Sequence, residues 1–502
     1  MATKTTTATT VGEGEPSALS TRRGKLTLAL LCTIAFLDFV DASIVNIALP
    51  TIRKDLDFSV QDLQWVLSGY LLTYGGFMLL GGRAADLFGR RRILLGGTTL
   101  FALSSLTGGL AQSSGMLVGA RLSQGIGAAM MLPAALSLLT TTFTGTDRHK
   151  ALGVWGGVAG LASAVGVLLG GVLSEGPGWR WVLLVNLPVC VVGIVCVYLM
   201  FDDDRRSPDL RKLDVRGAVL STSAMLLLVY TLVKAPSVGW DAGRTIGGLV
   251  GAFALLAIFV VNEARSSNPL LPLSIFRVPG LAAANVTQLI GIAGIISMFF
   301  FLTLYMQNVL GYSQINTGLA YLPLCFGVGI AAGISSQLLA KIGTRPVMVG
   351  GALLASGGVY WLSKVPVGGS YASDMLPGLM LASFGLGAVF VSVTTAANEG
   401  VPGDQAGLAA ALLNASQQVG GALGLAVFSA LAASRTTDQL ADHVPSPEAL
   451  TAGFQRALLA CSICLAAAAF IAMRTTNTRG ETATPEAAAD DATRRSAVPD
   501  AA

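Results

Sequence analysis

The sequence predicts an all-α integral membrane protein: 14 transmembrane helices, arranged as two six-helix bundles plus an inserted helix pair. Three observations carry that expectation. The 502-residue chain is 53% hydrophobic and only 12% charged, whereas a soluble domain is roughly a quarter charged. Its apolar runs recur at close to the ~20 residues that a helix needs to cross ~30 Å of hydrocarbon. Most of them also lack the polar face, at helical period, that a buried helix of a large soluble protein would show.

The elements follow in order. Residues 1–25 carry Ser, Thr and Gly without an apolar core and read as a flexible cytoplasmic tail rather than a cleaved signal peptide. Runs at 26–50, 63–82, 93–111, 116–139, 151–173 and 181–201 make an N-terminal bundle over 26–201. The stretch FDDDRRSPDLRKLDVRG (201–217) supplies a charged cytoplasmic linker, 202–214. Runs at 215–233 and 245–262 have almost no polar residue at mid-depth and form the inserted pair, 215–262. A cytoplasmic connector, 263–280, precedes runs at 281–305, 316–339, 347–362, 375–397, 406–432 and 454–473, which make a C-terminal bundle over 281–473. Residues 474–502 are a disordered cytoplasmic tail.

An even number of spans puts both termini on one side. Lys and Arg are retained in short cytoplasmic loops, and with the N-terminus inside, 23 of the 32 basic residues fall in cytoplasmic segments. The net charge of +4 is therefore a topology signal and not a nucleic-acid footprint, because it is dispersed over the loops of one face. All six cysteines lie in apolar runs. CSIC at 461–464 has metal or redox spacing but no second ligand pair, so neither a metal nor a disulfide is expected.

A weak internal repeat relates the halves. GRAADLFGRRR (82–92) follows the second run and SQLLAKIGTRP (336–346) the tenth, so Gly89 matches Gly343 and Arg91 matches Arg345, while Asp86 faces Ala340. Repeated bundles around a midplane site are a recurrent transporter plan.

The first of these loops resembles the signature loop of the major facilitator superfamily, which joins the second and third helices. The glycines Gly82 and Gly89 suit close approach and a sharp turn, and Asp86 beside Arg90 and Arg91 suits a hydrogen-bonded latch when the bundles close on the inside. GARLSQGIGAA (119–129) resembles the family's fourth-helix motif with Arg121 as its basic residue. WRWVLLVNLP (179–188) resembles the entry to the sixth helix, and GLASAVGVLLGG (160–171) the antiporter motif of the fifth, with Gly160, Gly166, Gly170 and Gly171. Val167 stands where that motif usually has proline, which implies a straighter helix. LDFVDASIVNIALP (37–50) resembles the first-helix motif of the 14-span drug:proton antiporter branch, with Asp41 at its acidic position and Asp38 as an extra carboxylate.

The resemblance implies a secondary transporter in the cell membrane that exports a lipophilic or amphipathic organic compound, a drug or antibiotic, in exchange for protons by alternating access. Its partners are then that compound, protons and the bilayer, with no nucleic acid. It acts as a monomer, with no cofactor beyond the proton-motive force, and is not an enzyme. The residues fit this reading. Asp38 and Asp41, three apart, project from one side of a helix about a turn apart. Charges at membrane depth are costly and usually face a cavity. Desolvation favours the protonated form of a carboxylic acid, and a like charge nearby favours it further. No histidine lies in a run, so carboxylates must carry any protons, with Asp41 the carrier, Asp38 its neighbour and Arg121 a coupling or structural ion-pair partner.

Asn46, Trp65, Tyr70, Tyr74, Gln124, Asn285, Gln288, Asn414 and Gln418, with Phe299, Phe300, Phe301 and Tyr305, are candidates to line a substrate cavity; aromatics at run ends serve equally as interfacial anchors. The glycines Gly153, Gly156, Gly157, Gly160, Gly166, Gly170 and Gly171 serve either bundle packing or a smooth, leak-tight interface. Two rivals stand beside export: uptake or facilitated diffusion of a metabolite, and a membrane-embedded enzyme or receptor, for which no His/Asp/Glu cluster or Ser/His pair is seen. No GxxxxGK[ST] phosphate loop is present.

The topology makes a direct prediction. Cysteines placed at Ser434 and Ser496 and probed in intact cells with an impermeant thiol reagent should label at Ser434 only; labelling at both, or at Ser496 alone, overturns the 14-span plan.

Overall fold

The computed structural model describes residues 18–143, 145–202, 214–267, 269–398, 401 and 406–477, and every regular element among them is helical. The tails 1–17 and 478–502 and most of the expected linker, 203–213, lie outside the described residues. The N-terminal elements are α1 (Arg22–Asp55), α2 (Val60–Leu63), α3 (Trp65–Phe88), α4 (Arg90–Gly109), α5 (Ser114–Thr142), α6 (Gly145–Leu173), α7 (Arg180–Leu184) and α8 (Asn186–Met200). Then come α9 (Val215–Val238) and α10 (Gly243–Arg265). The remainder is α11 (Leu281–Asn308), α12 (Gln314–Ile342), α13 (Thr344–Leu362), α14 (Leu376–Asn398), α15 (Ala406–Ala441) and α16 (Ser446–Ala472).

Eleven helical segments among the described residues are long and apolar enough to cross a membrane, which makes this a multi-pass membrane protein. The runs at 93–111, 151–173 and 347–362 also lie on helices, α4, α6 and α13, that fall outside those eleven. Hydrogen bonding explains the helical choice, since lipid offers no partner for a free peptide group. Side chains close the ends where the chain leaves hydrocarbon: Thr21, Ser59, Ser113, Asp214 and Ser313 each accept a backbone N–H of the helix that follows.

The apolar runs understate the helices. The segment between the last two apolar runs, 433–453, is helical at both ends, because α15 continues to Ala441 and α16 starts at Ser446. The sixth run is two helices, α7 and α8, that meet at Val185 just before Asn186 and Pro188.

Within the N-terminal part, α5 packs on α3 and α4, and α1 on α6. In the C-terminal part, α11 packs on α15 and α16, and α14 on α12 and α13. The two parts meet along α3 against α15 and α6 against α12. Helix α9 packs on α10, α3 and α15, while α10 leaves Ile246, Val250, Phe253 and Ile258 exposed on its outer surface.

The repeated loop has a repeated geometry. Gly89 separates α3 from α4 at φ 101° and Gly343 separates α12 from α13 at φ 90°, a region that side-chain-bearing residues rarely enter. Gly82 departs from its expected part: a Cβ there would meet only Pro133 at 3.7 Å, whereas one at Gly81 would run into the Ala129 carbonyl of α5. The close approach therefore belongs to Gly81. Asp86 pairs with Arg90 on the next turn at 3.7 Å. Arg91 reaches α8, where its Nη2 donates to the Tyr198 carbonyl at 2.8 Å and its guanidinium lies over the Tyr198 ring.

Gly89→Leu should leave the protein inserted but slow transport several-fold, because a branched side chain is forced to positive φ; Asp86→Ala should do less, since its ion pair is exposed. Dye transport at equal membrane abundance checks both, and unchanged rates in Gly89→Leu would count against a gating role for this loop.

Candidate functional site

Helix α1 carries its two carboxylates into a fully packed layer. Asp41 has no exposed surface and faces Arg121 of α5, which has none either. The Arg121 Nη1 donates to Asp41 Oδ2 at 2.6 Å. The other oxygen, Asp41 Oδ1, accepts from Gln124 Nε2 at 2.9 Å and from Asn186 Nδ2 at 2.7 Å. Those two amides also donate to Ser105 Oγ of α4, at 2.9 and 3.3 Å. Arg121 is fixed in turn: its Nε donates to the Val66 carbonyl at 2.9 Å and its Nη1 to Gln124 Oε1 at 2.6 Å. Four helices, α1, α4, α5 and α8, thus converge on one carboxylate.

Asp38 takes a different environment one turn earlier. It is 2% exposed and accepts from the hydroxyls of Tyr70 at 2.6 Å and Tyr74 at 3.0 Å, both on α3. Tyr70 and Tyr74 are four residues apart, so one face of α3 presents both. The Arg121 guanidinium lies 4.2 Å from the centre of the Tyr70 ring, a cation–π contact that joins the Asp38 and Asp41 environments. The sequence placed Arg121 in a motif without a partner; the fold supplies Asp41.

Ser105 and Asn186 are the members that sequence reading missed. Asn186 was legible in part: it is a lone amide within an apolar run, beside Pro188 where the helix is interrupted. Ser105 carried no signal beyond being a hydroxyl in a span.

The cavity candidates each have partners of their own. Tyr70, Tyr74 and Gln124 are buried, the two phenols committed to Asp38 and the amide to Asp41, Arg121 and Ser105. Asn46 donates to Thr303 Oγ1 of α11 at 3.0 Å. Asn285 donates to the Leu281 carbonyl and accepts from Ser416, and Asn414 donates to the Ala410 carbonyl. Gln288 contributes to a small recess with Gly291, Ile292, Ile295, Leu386, Val389 and Phe390, while Gln418 lies against Gly75 of α3. Phe300 and Phe301 are core residues, with Phe301 beside Phe454, and Tyr305 is equally buried. Trp65 and Phe299 keep partial exposure. Periodicity does not say which face of a wholly apolar helix points inward, so these placements needed the fold.

The antiporter-type glycines divide by face. A Cβ at Gly166 or Gly170 would collide with α1, and one at Gly171 with Gln314 and Ile315 of α12, whereas Gly153 and Gly157 face open space and serve no close packing. The surroundings of Gly156 and Gly160 lie outside the described residues. Helix α6 runs unbroken through Val167.

Hydrogen bonds between the two parts cluster at the C-terminal end of α1. Gln307 Nε2 donates to the Ile47 carbonyl at 3.0 Å, Gln314 Nε2 to Thr51 Oγ1 at 2.9 Å, and the Ile315 N–H to Glu175 at 3.1 Å.

Residues 31–425 match the Major Facilitator Superfamily. The puromycin resistance protein pur8 of Streptomyces alboniger is 39% identical over 85% of this chain and 85% of its own length. The cephamycin export protein CmcT of Amycolatopsis lactamdurans is 38% identical over 86% of this chain and 90% of its own. Among solved structures, the inward-open xylose transporter XylE of E. coli superposes with a TM-score of 0.61 at 15% identity, covering 92% of this chain and 98% of its own; at that identity the likeness shows the fold alone. With a match over most of its length and relatives this similar, the chain belongs to the Major Facilitator Superfamily.

Proposed function

We propose that the protein exports small lipophilic or amphipathic organic compounds, of antibiotic or drug type, in exchange for protons by alternating access. The names of its relatives, which are resistance and export proteins, support the substrate class and direction. The proposal includes 14 spans as two six-helix bundles with α9 and α10 inserted, both termini cytoplasmic, action as a monomer, and no cofactor. The proton-motive force drives it, each inward charge contributing ~2.3 kcal/mol per 100 mV.

One observation carries the coupling: the intramembrane charges of α1 and α5 form a single layer in which Asp41 has a cation and Asp38 has none. Ionised Asp41 ties α1 to α4, α5 and α8. Protonated, it loses its attraction for Arg121 and one acceptor site, so α1 is freed to move against α5. Asp38, neutral or charged, stays within its two phenol hydroxyls and is the second protonatable group. Bonds at the C-terminal end of α1, to Gln307 and Gln314, suit the closing of one entrance while the opposite one admits substrate. The latch of Arg90, Arg91 and Asp86 lies at that opposite end.

Proton release on addition of puromycin to purified protein tests the assignment. Asp41→Asn should abolish release, and should also lower stability by ~3–5 kcal/mol because Arg121 is left buried without its counter-ion. Asp41→Asn with Arg121→Gln should regain stability without regaining release, and Asp38→Asn should retain release with an altered pH profile. Release kept in Asp41→Asn but lost in Asp38→Asn reverses the two roles; release kept in both removes α1 from the coupling.

A further inference from the structure

Among the described residues, one carboxylate oxygen is buried without a hydrogen-bond partner: Oε1 of Glu263, in the last turn of α10. Glu263 is 3% exposed, and Asp214, which caps the start of α9, is 9% exposed. A Cβ placed on Gly217 would run into Glu263 Oε1 and come within 2.9 Å of Asp214 Oδ2. The two carboxyl groups therefore face each other across the first turn of α9, within hydrogen-bonding reach.

The other three oxygens are occupied. Asp214 Oδ1 accepts the Gly217 N–H at 2.8 Å, Asp214 Oδ2 accepts from Asn262 Nδ2 at 2.7 Å, and Glu263 Oε2 accepts the Leu271 N–H at 2.8 Å. Neither carboxyl belongs to an ion pair among the described residues. The charged residues of the adjoining elements, Arg83 and Asp86 of α3, Arg216 of α9, Arg265 of α10 and Arg277 of the connector, are exposed, and α15 carries no charge before Arg435. Two ionised carboxylates this close and this buried repel each other and forgo hydration together, which favours the state with one of them protonated. A proton needs only the free oxygen of Glu263 and a lone pair on Asp214. A metal ion suits the geometry less, because Mg²⁺ or Ca²⁺ takes about six or more oxygens and three of these four are already turned to N–H groups.

We infer that Asp214 and Glu263 bind one proton between them, a further protonation site separate from the charged layer of α1 and α5, and that this proton locks the inserted pair to the connector. Three elements meet at the site. Asp214 begins α9, whose Thr222 sits against Gly76 of α3. Glu263 ends α10 and holds Leu271. The connector beyond Leu271 packs, through Ile275, with Leu281 and Ala284 of α11 and Met348 of α13. With the proton in place, Glu263 donates to Asp214 and the junction is closed; when it leaves, two like charges adjoin and the junction loosens. The topology proposed above sets the site on the cytoplasmic side, where an exchanger delivers its protons. That placement rests on the preceding section, whereas the proton site itself does not.

Infrared spectra of the purified full-length protein test the site without any transported compound. In Glu263→Gln the amide keeps both contacts, donating to Asp214 and accepting from Leu271, but cannot titrate. In Asp214→Asn an amide donor replaces the carboxylate, so Glu263 ionises. At about pH 6, where ordinary carboxyls are ionised, the wild type should show a protonated-carboxyl band that both variants lack, and the band should fade as the pH rises toward about 9. Hydrogen exchange of connector peptides over 266–277 reads the lock: at about pH 8.5 the wild type should exchange several-fold faster than Glu263→Gln, and at about pH 6 the two should match. Identical carboxyl bands in the wild type and both variants overturn the proton site. A band lost in Glu263→Gln but kept in Asp214→Asn gives the proton to Glu263 alone and overturns the shared site, and exchange that matches at both pH values overturns the lock. Mg²⁺ or Ca²⁺ that raises the unfolding temperature of the wild type and not of Glu263→Gln makes this a metal site and overturns the proposal as well.

Discussion

A guanidinium and a carboxylate 2.6 Å apart, neither with any exposed surface, set the terms for the N-terminal helices. In hydrocarbon an isolated charge of either sign is costly, so once Arg121 lies inside α5 the fold must bring it an anion and fill the remaining valences. Asp41 supplies the anion. Gln124 of the same helix and Asn186, Ser105 and the Val66 carbonyl supply most of the rest, and the last three tie α8, α4 and α3 to the same point. A buried ion pair of this kind is weak evidence for stability, because its desolvation offsets much of its attraction; in the coupling proposed above, its value lies in having two states. When the pair is intact, the helices share one arrangement, and when a proton neutralises Asp41 the reason for that arrangement disappears.

The apolar packing allows such a change to be transmitted. The seams between the two parts, α3 against α15 and α6 against α12, are lined with glycine and alanine, and the tightest contacts are of backbone on backbone: Gly318 against the Val167 carbonyl, Gly171 against the Gln314 carbonyl. In lipid, where no hydrophobic effect drives helices together, small residues let dispersion and close approach do so. Few side chains interlock across these seams, so the surfaces are suited to rocking as well as to sealing.

The inserted pair is attached unevenly. Helix α9 seats Thr222 in the notch left by Gly76 of α3 and pairs Lys234 with Asp62 of α2 at 2.7 Å, so its specific contacts run to the N-terminal part, while α15 meets it through Val229, Val233 and small residues such as Ala422 and Ala426. Helix α10, held mainly by α9, turns most of its surface outward. The pair widens one flank of the protein without entering the charged layer.

Composition and run length were enough to establish a helical, many-times-spanning membrane protein, because the bilayer leaves the backbone hardly any other choice and demands about twenty apolar residues each time. The glycines at 89 and 343 were legible for a similar reason: a break between two long helices needs a residue free to take positive φ. Local spacing also placed Asp38 and Asp41 on one side of α1. Partners were not legible, since Arg121, Asn186 and Ser105 are 80, 145 and 64 positions from Asp41 in the chain and nothing local relates them. Nor could an all-apolar helix announce its inward face, which is why Phe300 and Phe301 proved to be core and why Gly81 rather than Gly82 makes the close approach. The sequence by itself determined the solvent, the helices and which residues carry charge into the membrane; only the tertiary structure decided which charges meet, because that depends on how helices far apart in the chain rotate and pack against one another.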